Sequence, residues 1–204
     1  AGDIAQKYYD AYYLAGSSAS LYDMKNMVSS DNKLINITAV AGIFLVILIT
    51  FSSISLPFIL VFCIETAIWI NLSIPYFSGK PINFIGYLII STVQLGATVD
   101  YAILFTDSYL NNRKTMSGKD SMKKTIGNNL IAIITSALIL SFAGFVLALT
   151  SNNPIIKELG LLLGRGTVLS LTMVALVLPA LLVMFDKVIQ KTTLKSINNL
   201  KTNL

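Results

Sequence analysis

Asp100 and Tyr101 stand side by side inside an otherwise apolar stretch that runs from Phe84 to about Thr106. Both are proton-handling groups: a carboxylate titrates, and a phenol donates or accepts a hydrogen bond. Asp100 lies six residues from the far end of that stretch, roughly 9 Å inside it by helix rise. An unpaired carboxylate at such depth costs on the order of 2.5–3.5 kcal/mol on insertion scales. Taking a proton, pairing, or facing a wet cavity lowers that cost, and each route couples the charge to its surroundings. A plain helix-joining role is the competing reading of the same residue.

The neighbouring residues support either chemistry. Gly96 sits one turn before Asp100 on the same face, with Gln94 nearby, so that face is small and polar instead of lipid-like. Asp107 follows Asp100 by seven residues on nearly the same face, as a proton exit or as a simple interface charge. Thr135, Ser136 and Ser141, in the next apolar stretch, are candidate hydroxyl partners, although small residues commonly serve helix packing in membranes. Glu65 is too deep in its own stretch to reach water by snorkelling, whereas Arg165 is close enough to a boundary to do so. Those two could also form a pair. Gly160 and Gly164 form a GxxxG spacing that permits close helix approach.

Other chemistries are excluded by what the chain lacks. It has no histidine and one cysteine, Cys63, so it holds no internal disulfide, Cys/His zinc site or His-based triad. Acid, base and nucleophile are not grouped in any loop, which argues against an enzyme. Neither cofactor nor metal is implied.

The elements that must position these residues are membrane helices. The chain has 204 residues, 54% hydrophobic and only 12% charged, about half the charge of a soluble domain. Its apolar residues come in five runs: 34–50, 54–77, 84–106, 129–150 and 159–185. Each is near the roughly 20 residues that cross a bilayer. Transmembrane strands would alternate in polarity, and these runs do not. The fold class is therefore all-α and polytopic, with a five-helix membrane region over 34–185.

Connections and charge set the expected topology. Phe51 to Ser53 form a tight hairpin, Ser78 to Asn83 and Ser151 to Glu158 join later spans, and 107–128 forms a polar loop with a short amphipathic helix. Arg113, Lys114, Lys119, Lys123 and Lys124 share one side with Lys187, Lys191, Lys195 and Lys201 of a basic tail over 186–204. Only Lys7, Lys25, Lys33, Lys80 and Lys157 lie on the other. The positive-inside rule places the loop and the C-terminus in the cytoplasm and the N-terminal segment outside. The net charge of +5 thus reads as membrane anchoring and not as a nucleic-acid surface. Residues 1–33 are polar and tyrosine-rich, with Leu21, Met24 and Val28 on one face of a short helix. They read as the end of an extracytoplasmic domain, and the chain as the C-terminal part of a longer protein.

The stretch GATVDYAILFTDSYLNNRK (Gly96 to Lys114) resembles the fourth helix of a repeat in the RND superfamily, MMPL branch. Thr125 to Leu182, including the N-P-x-I-x-E-L-G run of Asn153 to Gly160, resembles the fifth and sixth helices. Ala15 to Lys33 resembles the return from the extracytoplasmic domain, so the likeness covers about 15–185. It implies helices two to six of a six-helix repeat in a proton-motive-force-driven exporter of lipids or other hydrophobic or amphiphilic compounds. The family's Asp-Tyr relay falls on Asp100 and Tyr101, with partners supplied by a second six-helix repeat. Arg165 departs from the small or apolar residue expected there.

The resemblance also implies membrane lipids and a hydrophobic substrate as partners. A Lys-, Asn- and Ile-rich composition suggests a low-GC bacterial source, and the expected localisation is the bacterial plasma membrane. The alternatives are a non-transporting lipid-sensing or scaffolding module and a split-repeat subunit of a membrane complex.

Overall fold

The computed structural model describes residues 16–79 and 82–193, with backbone alone for 17–32, 84, 85 and 88. Residues 1–15, the turn at Lys80 and Pro81, Lys195 and Lys201, and the face of Leu21, Met24 and Val28 lie outside that description. The chain divides into two compact units, 1–35 and 36–204. The first is helical from Ser17.

The fold is all-α, and among the described residues five helices are long and apolar enough to cross a membrane. These are α1 (Ser17–Phe51), α2 (Ser55–Phe77), α3 (Phe84–Arg113), α4 (Gly118–Thr150) and α5 (Pro154–Thr172) with its continuation. A π-helical stretch, Met173–Val177, carries α5 into α6 (Leu178–Met184), and α7 (Asp186–Thr192) follows. Within hydrocarbon every backbone group needs an internal partner, and a helix supplies one everywhere except in its first and last turns.

Local chemistry explains the breaks. Ser52 adopts φ 47°, a left-handed turn that lets α2 start three residues later. Ser117 caps α4 by accepting the Asp120 N–H and donating to the Asp120 carboxylate at 2.5 Å. Asn153 caps α5 through the Ile155 N–H at 2.9 Å, with Pro154 in the first helical position. Pro179 has no N–H to give and crowds the carbonyl four residues back; the π stretch directly before it widens the helix there.

The polar 107–128 region contains more helix than expected. α3 runs on through it to Arg113, a short turn follows, and the amphipathic segment is the opening of α4 instead of a separate surface helix. Polar residues at a membrane boundary do not by themselves stop a helix; α3 ends in the turn after Arg113, and Ser117 caps the start of α4. A bridge between Ser53 and Thr193, with the Thr192 hydroxyl donating to Ser55 at 2.8 Å, ties the α1–α2 hairpin to the end of α7.

The core lies along α2. Leu56, Leu60, Cys63, Ile64 and Ile68 pack against Leu95, Ala102, Phe105 and Tyr109 of α3 and against Val174, Leu178 and Leu182 beyond α5. Helix α5 contacts α2, α3 and α4, and its pairing with α4 is the most extensive.

Candidate functional site

Helix α3 separates its polar residues between two faces. Gln94 and Thr98 are buried, and Tyr101 is half-buried against the core. Val93, Gly96, Asp100, Leu104 and Asp107 are exposed along another face. Asp100 and Tyr101, neighbours in the chain, therefore point to different sides of the helix. Among the described residues Asp100 makes no hydrogen bond and no ion pair.

The other candidates are not drawn to Asp100. Thr135 and Ser136 are exposed on α4, and the Thr135 hydroxyl donates to the Ile131 carbonyl at 2.8 Å. Asp107 accepts a hydrogen bond from Asn111 at 3.0 Å. Glu65 is half-buried and lies within hydrogen-bonding reach of Trp69, one turn along α2. No ion pair joins it to Arg165.

Arg165 belongs to a buried polar hub instead. It donates to Asn71 of α2, from Nε to the side-chain oxygen at 2.7 Å and from Nη2 to the backbone carbonyl at 3.0 Å. The Asn71 amide nitrogen donates to Gln94 Oε1 at 2.8 Å and to the Leu162 carbonyl at 3.0 Å. Gln94 donates to the Gly166 carbonyl at 3.2 Å and to Ser170 Oγ at 3.1 Å, and Thr98 and Ser170 hydroxyls meet at 2.9 Å. Three spanning helices thus share one chain of hydrogen bonds. A Cβ at Gly166 would lie 2.5 Å from both Asn71 Nδ2 and Gln94 Oε1, so only glycine leaves room for the hub.

The α4–α5 pair is in backbone contact. A Cβ at Gly144 would sit 2.5 Å from the Gly164 nitrogen, and one at Gly160 would sit 2.6 Å from the Ala148 nitrogen and the Gly144 oxygen. Ser141 donates across the same seam to the Gly164 carbonyl at 2.9 Å. Gly96 differs: an added Cβ there meets nothing within 4 Å among the described residues.

The MMPL family model matches residues 9–196, nearly the whole chain. The chain belongs to the MMPL family. It is thus a multi-pass membrane protein of a family of transporters of hydrophobic compounds. No curated protein and no solved structure matches it significantly.

Two further features of this MMPL chain were not singled out by residue type. Asn71 interrupts an apolar run much as Glu65 does, and its amide was the available signal for the hub. The other is a cluster where α3 meets α7. Asp186 accepts from Arg113 Nε at 3.1 Å and Nη2 at 3.1 Å, from the buried Tyr109 hydroxyl at 2.8 Å and from Gln190 at 2.9 Å. This is the one ion pair among the described residues. Partial burial pushes the Asp186 carboxyl up, but the hydrogen bonds from Arg113, Tyr109 and Gln190 together hold it below the usual carboxylate range.

Proposed function

We propose that the chain forms helices two to six of one repeat in a proton-motive-force-driven exporter of lipids or other hydrophobic or amphiphilic compounds. Asp100 and Tyr101 are its proton relay. The observation that carries this reading is the exposed, unpartnered Asp100 carboxylate within a span. Such a group is unstable against lipid. A second six-helix repeat, from the same or another chain, would cover the face of Val93, Gly96, Asp100 and Leu104 and supply partners for the carboxylate. Thr135, Ser136 and Asp107 would support proton movement along the way.

Charge switching would drive the cycle. Protonated Asp100 tolerates a dry helix contact, whereas the ionised form needs water or a partner. That difference favours one of two helix packings in each protonation state. Protons entering from outside and leaving inside would alternate the two. The N-terminal segment is then extracytoplasmic and the C-terminus cytoplasmic, in a bacterial plasma membrane.

The test is transport in proteoliposomes. Under an imposed proton gradient, a fluorescent lipid analogue should be moved at a rate that collapses when an uncoupler is added. Movement that ignores the uncoupler would reject proton drive.

A further inference from the structure

We infer that Arg165 is the headgroup seat for an anionic amphiphile, a molecule joining a phosphate or carboxylate to a hydrocarbon chain. The guanidinium lies eleven residues into a helix that opens at Pro154, about 16 Å along its axis, within the last span. Both of its hydrogen bonds go to neutral oxygens of Asn71. Among the described residues no carboxylate pairs with it, and Nη1 makes no hydrogen bond. The positive charge is held in place but not neutralised.

The surroundings fix its geometry. Asn71 is fully buried, and its own amide nitrogen is engaged by Gln94 and the Leu162 carbonyl, so it cannot swing away. Arginine presents a planar fork suited to two oxygens of a phosphate or carboxylate, and a fork already fixed on one edge loses little freedom on binding. Leu161 and Val168, one turn to either side of Arg165, are each 43% exposed. A fixed cation between exposed aliphatic side chains matches a charged head with a chain beside it. Lys157, exposed on the first turns of the same helix, lacks such a mount.

The seat does not depend on proton coupling, and binding without a gradient tests it. Native mass spectrometry of the purified protein in neutral detergent would compare dodecyl phosphate with dodecylphosphocholine, which carries the same phosphate and chain but no net charge. Wild type should prefer dodecyl phosphate by tenfold or more. Arg165→Gln should lose that preference, Arg165→Lys should keep part of it, and Lys157→Gln should leave it intact. A parallel arm would compare retained phosphatidylglycerol with phosphatidylcholine. Selective retention there alone, lost in Arg165→Gln, assigns the seat to a bilayer lipid; selectivity for the single-chain probe assigns it to a mobile amphiphile. Absence of anion preference in wild type in both arms overturns the inference whether or not the variants fold. So does an undiminished preference in Arg165→Gln.

Discussion

Arg165 and Asn71, 94 residues apart in the chain, are joined by two hydrogen bonds of 2.7 and 3.0 Å inside the membrane region. The contact joins the last span to α2, and through Gln94 it reaches α3. Helix association in lipid has no hydrophobic drive of its own, so shared polar contacts and close packing must hold the spans together.

Removing Asn71 should therefore loosen three helices at once. Asn71→Leu removes the side-chain partner of Arg165 Nε, Gln94 Oε1 and the Leu162 carbonyl, at roughly 1–3 kcal/mol for each orphaned group. Arg165 Nη2 keeps the backbone carbonyl, and Gln94 keeps Gly166 and Ser170. Thermal unfolding in detergent should show a clearly lower Tm than wild type. An unchanged Tm would mean that the hub contributes nothing to stability.

Two glycines expected to behave alike should separate. Alanine in place of glycine in a helix is ordinarily favourable by about 1 kcal/mol. Gly96→Ala should follow that rule, because nothing lies within 4 Å of the added methyl. Gly160→Ala drives a Cβ to 2.6 Å from the backbone of α4 and should lower stability by about 1–3 kcal/mol through forced helix separation. Equal unfolding temperatures for the two variants would contradict the backbone contact.

The Asp186 cluster supplies a pH dependence whose sign follows from its environment. Its carboxyl is held lower in the folded protein than in the unfolded chain. The stabilisation is then fully present above the unfolded value of about 3.9 and is lost as pH falls through the folded one. The Tm gap between wild type and Asp186→Asn should stay constant from about pH 6 to 8 and shrink below about pH 4. A gap that widens in acid would contradict the ion pair with Arg113.

Tyr101 should act in transport without being needed for the fold. Its phenol belongs partly to the core, and phenylalanine keeps that packing. Tyr101→Phe should insert normally and transport more slowly; an unchanged rate would remove the hydroxyl from the relay.

The spans were legible in the sequence because a bilayer demands about 20 apolar residues in a row. Their polar extensions were not: 107–113 and 118–128 continue helices by backbone hydrogen bonding that hydropathy does not record. The GxxxG spacing marked Gly160 and Gly164, but Gly144, which completes the seam, carries no comparable mark. Depth placed Asp100 and Tyr101 in one helix. Which side each faces depends on the neighbouring helices, and spacing along α3 does not specify those. Arg165 similarly stood out by charge, while a single amide such as Asn71 names no partner until the chain has folded.

Proton coupling at Asp100 is most directly tested by proton flux in proteoliposomes containing the full-length protein, with insertion of each variant checked. Wild-type vesicles supplied with a transported lipid should acidify under an inward gradient, and Asp100→Asn should abolish that flux. Equal flux in wild type and Asp100→Asn would contradict the relay and leave the carboxylate as a contact between helices.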